Sequence, residues 1–88
     1  MRTIKLDISN IFTVRALHIY LAYMLDLPAY YGKNLDALHD VLCEESKSVR
    51  IVLAGTAASE EMAAYLPRLV CVMEDSAQDN PRVCFERN

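Results

Sequence analysis

Leu27-Pro28-Ala29-Tyr30-Tyr31-Gly32-Lys33-Asn34-Leu35-Asp36-Ala37-Leu38-His39-Asp40-Val41-Leu42, residues 27–42 of an 88-residue chain, decides how the remainder is assembled. Its first seven residues are too few and too rich in breakers to form an element, and Pro28 biases Leu27 away from helix, so they read as a loop. Asn34 offers a side-chain oxygen to the free N–H groups of a helix start. Leu35, Leu38 and Leu42 recur at helical spacing and form an inward face, with Val41 at its edge.

On either side of this loop and helix the pattern changes period. Thr3 to Leu6 alternates, with Ile4 and Leu6 on one side and Thr3, Lys5 and Asp7 on the other, as in a half-buried strand. Thr13 can cap a helix whose face is Val14, Leu17, Leu21, Met24 and Leu25, ending before Pro28. Val49, Ile51 and Leu53 alternate with Arg50 and Val52, and Gly55 closes that strand. From about residue 57 to residue 78 the pattern is helical, with Pro67 expected to kink it or divide it into two pieces. Arg82 to Glu86 reads as a last strand, with Val83 and Phe85 inward. A helical crossover before each later strand favours parallel neighbours joined by right-handed connections. Lys5, Arg50, Arg82 and Glu86 face away from the apolar side, which predicts helices on one face only. The expected fold is α/β: a two-layer sandwich in one domain, residues 1–88, with a three-stranded parallel sheet and three or four helices.

Composition narrows the function. Hydrophobic residues are 53% of the chain and Gly plus Pro only five residues, as in a folded domain rather than a linker. A net charge of −3 argues against nucleic acid, which demands an excess of Lys and Arg, and favours a basic partner. Cys43, Cys71 and Cys84 are odd in number and irregularly spaced, with no CxxC pair, so they write neither a disulfide framework nor a zinc site and fit a reducing compartment. The opening Met1-Arg2-Thr3-Ile4-Lys5-Leu6 lacks the apolar run of a signal peptide, and no stretch approaches the roughly 20 apolar residues that span a bilayer. A cytoplasmic location without membrane attachment is expected.

The acid is not evenly spread. Between Asp26 and Glu45 lie five of the twelve acids and one of the nine bases, Lys33, leaving the rest of the chain nearly neutral. Asp36, His39, Asp40 and Cys43 are expected to share the outward side of the second helix. Asp36 and Asp40 are a like-charge i,i+4 pair, which costs a helix roughly 0.2–0.5 kcal/mol, and Glu44 and Glu45 crowd the end that the macrodipole makes unfavourable for them. Helix stability therefore does not account for these residues. Tyr30 and Tyr31 put large amphipathic rings beside the acids, a mixture found at binding hot spots. One of the two rings is expected to belong to the core.

The run from Leu17-His18 through Leu21 and Leu25 to Leu27–Leu42, with its motif LPxYYGxNLDALxDxL, resembles the barstar family of intracellular ribonuclease inhibitors. The resemblance covers about a quarter of the chain by motif, and element order and length agree over the rest. It implies a barstar-like fold in which a loop and the second helix plug the active site of a ribonuclease. Carried across by position, it nominates Tyr30, Asn34, Leu35, Asp36, His39 and Asp40 as partner-binding residues. Gly32 shapes the loop, Cys43 lies at the helix end, and Asp75, with Glu74 as the alternative, is a candidate for a second acidic contact. Asp40 matches the family carboxylate that enters the phosphate pocket of the enzyme. His39 stands where the family commonly has Trp, and Cys43-Glu44-Glu45 replaces a Thr-Gly-Trp stretch, which implies a partner with a differently shaped rim.

Rival readings remain open beside this one. His39 and Cys43 are spaced as a thiol and its base, but nothing in the sequence supplies an oxyanion hole, so no enzymatic activity is expected. Asp36, His39, Asp40 and Cys43 could converge on a metal, yet a single straight helix seldom gives a closed shell, so neither metal nor cofactor is expected. An immunity or regulatory protein for a partner other than a ribonuclease is the alternative function. His18 reads as a hydrogen-bonded core histidine. The first helix is apolar nearly all round, and Ile19, Tyr20 and Tyr23 are expected to meet a second partner or a second copy in a homodimer.

Overall fold

Three short alternating runs become strands β1 (Arg2–Asp7), β2 (Val49–Ala54) and β3 (Val83–Arg87) in a computed structural model that describes residues 1–88. β2 lies between the other two and pairs with both in parallel, giving the order β1-β2-β3. The register sets Ile4 beside Ile51, Leu6 beside Leu53 and Ile51 beside Phe85. Alternation then places Ile4, Leu6, Val49, Ile51, Leu53 and Val83 on one buried face. Lys5, Arg50 and Glu86 occupy the exposed face, where Arg50 pairs with Glu86. Strands added in sequence order through crossovers of one hand leave all helices on the same side, so the sandwich has two layers.

The helices start where the sequence offers caps. Thr13 Oγ1 accepts the Ala16 N–H at 3.1 Å to open α1 (Val14–Met24), and Asn34 Oδ1 accepts the Ala37 N–H at 2.7 Å to open α2 (Leu35–Cys43). Ser59 Oγ does the same for the Met62 N–H at 3.1 Å at the start of α3 (Glu60–Asp79). At the other end of α1, Asp26 takes a left-handed φ of 52°, the Leu27 N–H reaches the Ala22 carbonyl at 3.0 Å, and the Asp26 N–H reaches that of Tyr23 at 3.4 Å. This double closure is the Schellman arrangement, which reverses the chain into the tyrosine loop.

Of the two outcomes expected at Pro67, a kink or a division of the last helical stretch, the division does not occur. α3 runs unbroken for 20 residues with Pro67 inside it, so the sheet carries three helices and not four. The missing Pro67 N–H deprives the Ala63 carbonyl of its partner, and both residues lie on the solvent side, where water can replace that bond. Inside, Leu17 and Leu21 of α1, Leu38 and Leu42 of α2, and Met62, Leu69 and Met73 of α3 join the strand residues in one cluster of 18 buried side chains. Gly55 ends β2 at a φ of 91°, where a Cβ would collide with the side chains of Ser9 and Asp7.

Candidate partner-binding surface

The loop before α2 sorts its two tyrosines by burial. Tyr31, closing a turn through its N–H to the Pro28 carbonyl at 3.0 Å, points inward and is 6% exposed, whereas Tyr30 is 76% exposed. The Tyr31 hydroxyl lies 2.5 Å from His18 Nδ1, and the Tyr65 hydroxyl of α3 lies 2.8 Å from His18 Nε2. His18 thus joins α1, the loop and α3 as the buried structural histidine expected. Burial lowers its pKa below the ordinary imidazole value and raises that of Tyr31, so the network is neutral. Gly32 sits where a Cβ would press on Ala37 Cβ at 3.3 Å. Asn34 uses its amide within the fold, holding the Ala37 N–H and donating to the Gly32 carbonyl at 3.2 Å.

α2 turns its leucines inward, and Leu35 with them, so among the nominated residues Leu35 has a core side chain. At about 100° per residue, Asp40 falls opposite this leucine face, with Asp36 and Glu44 to either side of it. All three carboxylates are exposed, and neither ion pair of the fold uses one of them. Asp40 and Glu44 line a concavity of about 280 Å³ together with Tyr30, Gly32 and Ala37. Of the nominated residues, Tyr30, Gly32 and Asp40 therefore meet around one concavity.

His39 does not share the outward stripe with Asp36 and Asp40 as the sequence suggests, while Cys43, close to Asp36 in angle, is half-buried against His39. At about 100° per residue His39 lies nearer to Leu35 than to Asp40, which turns it toward α3. There His39 Nε2 meets Asp79 Oδ2 at 3.1 Å, and Cys43 Sγ lies 3.6 Å from the same ring nitrogen. Partial burial, with the carboxylates of Asp79, Asp40 and Glu44 nearby, pushes the Cys43 thiol above its usual range, the opposite of an activated nucleophile. Asp75 is exposed on α3 one turn before Asp79 and on the same stripe, while Glu74 is rotated about 100° away from it. The helical geometry thus favours Asp75 over Glu74 as the acid nearer α2.

Two further residues matter here that no local sequence pattern marks. Asp79 is one; its spacing from Asp75 is the nearest thing to a signal. Asn80 is the other, and it is only 5% exposed. Its Nδ2 donates to the carbonyls of Leu42 at 2.9 Å and Glu45 at 3.0 Å, with Cys43 at 3.4 Å, and its Oδ1 accepts the Arg82 N–H at 3.1 Å. It supplies donors to carbonyls at the end of α2, of which that of Leu42 also accepts the Glu45 N–H at 3.3 Å. On α1, Tyr20 is also unlike its expected role: it is half-buried, and its hydroxyl accepts the Asp7 N–H at 3.0 Å, whereas Ile19 and Tyr23 are exposed.

A small two-layer α/β protein with a parallel sheet, presenting unpaired carboxylates and an exposed tyrosine from a loop and its following helix, is of the barnase-inhibitor-like class. The chain belongs to the barstar family: the family model described as Barstar (barnase inhibitor) matches residues 1–86. No curated protein matches it. No helix is long and apolar enough to cross a membrane.

Proposed function

We propose that this protein acts in the cytoplasm as an inhibitor of a ribonuclease, filling the cationic active site with the acidic face of α2 and the Tyr30 loop. The observation that carries the reading is Asp40, an exposed carboxylate opposite the helix core and beside an exposed tyrosine, with no cation of its own fold to neutralise it. Such a group offers a basic pocket the charge that a substrate phosphate would offer, and the surrounding acids steer the encounter. Once water is excluded, its charge-assisted hydrogen bonds hold the complex, and substrate is blocked by occupancy with no bond cleaved. Tyr30, Asp36, Asp40 and Asp75 give side chains to the partner, His39 and Cys43 form the rim, and Gly32, Asn34 and Leu35 fix the loop and helix start.

Removing one member of a desolvated charge pair strands the other, so Asp40→Ala is expected to weaken binding by about 3–5 kcal/mol, roughly 10²–10⁴-fold in Kd. Capture from the source organism with wild-type and Asp36→Ala/Asp40→Ala baits, followed by a ribonuclease assay on the protein that is lost, tests the reading. A captured basic ribonuclease that disappears with the acids is the expected outcome. A captured protein lost with the acids but without ribonuclease activity would instead identify an immunity or regulatory role, and capture indifferent to the acids would overturn the surface itself.

A further inference from the structure

The geometry points to a divalent-cation site of the zinc class at the C-terminal ends of α2 and α3, built by His39 Nε2, Cys43 Sγ and Asp79 Oδ2. These three atoms lie within 4.8 Å of one another, with 3.1 Å between the imidazole and the carboxylate and 3.6 Å between the imidazole and the sulfur. Tetrahedral zinc bound at about 2.0 Å to nitrogen and oxygen and about 2.3 Å to sulfur holds its ligand atoms roughly 3.3–3.6 Å apart. Two edges of the triangle are therefore near their ligated lengths, and the third, no longer than 4.8 Å, requires at most about 1.3 Å of closure. An imidazole, a thiolate and a carboxylate together suit a borderline cation, whereas calcium and magnesium prefer oxygen alone.

The objection that one straight helix cannot surround an ion is removed by the fold. His39 and Cys43 stand one turn apart on α2, and Asp79 arrives from α3. The two backbones are also tied together beside the site: Asn80, next to Asp79, donates to the carbonyls of Leu42 and Glu45 and lies 3.4 Å from that of Cys43. The ligand-bearing segments are thus held in place before any ion arrives, which is the support a metal site needs. The side chains of His39 and Asp79 are 35% and 57% exposed, leaving an entry path and a fourth position for water. On binding, the Cys43 S–H bond breaks, the sulfur pair forms the metal bond and the proton passes to solvent. Two of its ligands, His39 and Cys43, also stand at the rim of the proposed partner surface, but the site does not depend on that role and is tested without a partner.

The test is titration of the reduced, metal-free full-length protein with cobalt(II), followed by zinc(II) competition. One equivalent of cobalt should give the intense visible bands of tetrahedral thiolate ligation, and one equivalent of zinc should abolish them. Cys43→Ser should lose these bands, His39→Gln and Asp79→Asn should lose or weaken them, and a Cys71→Ser/Cys84→Ser double variant should keep them. Circular dichroism and urea midpoints establish that each variant is folded. Absence of thiolate bands in the wild type, their persistence in Cys43→Ser, or indifference to Asp79→Asn would overturn the assignment.

Discussion

Asn80→Asp replaces one NH2 group by one oxygen with almost no change of size, and it reverses the chemistry at the end of α2. In the native protein Nδ2 faces the Leu42, Glu45 and Cys43 carbonyls at 2.9, 3.0 and 3.4 Å from a nearly buried position. An ionised aspartate would set a negative oxygen against the same three acceptors. The Leu42 carbonyl keeps the Glu45 N–H and that of Glu45 is left without a donor, so the loss is about 0.5–1.5 kcal/mol for the first and about 1–3 kcal/mol for the second, about 1.5–4.5 kcal/mol together. A domain of this size is stable by only about 5–15 kcal/mol, so the variant should be visibly weakened. Burial and the facing carbonyls raise the folded-state pKa of the new carboxyl above its unfolded value. Its protonated form can still donate one bond, so the deficit should be smallest in acid and grow as pH rises through the folded-state pKa. Urea unfolding of wild type, Asn80→Asp and Asn80→Ala, at mildly acidic and at alkaline pH, separates the effects, because the alanine variant lacks the charge. A deficit below about 1 kcal/mol, or one that is equal in both variants at every pH, would refute the role given to Asn80.

Burial depresses the His18 pKa, so the unfolded chain binds the proton more readily; stability should be full above the ordinary value of 6.5 and be lost as pH falls through the folded-state pKa. His18→Gln should abolish that acid slope, and a slope that survives in the variant would contradict the assignment to this residue. For α1 we infer self-association through Ile19 and Tyr23, which are 49% and 82% exposed. Sedimentation should then show a dimer that Ile19→Glu/Tyr23→Glu disrupts, and a wild-type monomer at high concentration would remove the inference.

The strands, the two early caps and the inward leucines were readable because each rests on local periodicity or on a side chain reaching its own helix. His18 is readable as a core residue for a similar reason, an apolar setting on a known face, whereas the sequence implies that one of Tyr30 and Tyr31 is buried without saying which. Pro67 does not divide the helix because the carbonyl it leaves without a partner, at Ala63, faces water. His39 misled because its polarity suggested an outward stripe, while its angular position already leaned toward Leu35. Asp79 and Asn80 were invisible for a deeper reason. Their partners on α2 lie 35 to 40 residues away in sequence, and only the packing of α2 against α3 brings them together.

That packing explains how so unfavourable a helix persists. α2 has nine residues, fewer than a helix needs to hold alone in water, and its acids at positions 40, 44 and 45 oppose both one another and the macrodipole at its C-terminal end. Its leucines anchor it to the core, Asn34 satisfies a donor at its start, and Asn80 supplies donors to its final carbonyls. With both ends held by neutral amides, the exposed acids in its C-terminal half are not consumed in stabilising the element that carries them. Had lysine or arginine capped the C-terminal end, as the macrodipole favours, the cation would have stood beside Glu44 and Asp40 and cancelled the charge on which recognition of a basic partner depends. Buried asparagine at this position supports the helix and leaves its acidic face uncompensated.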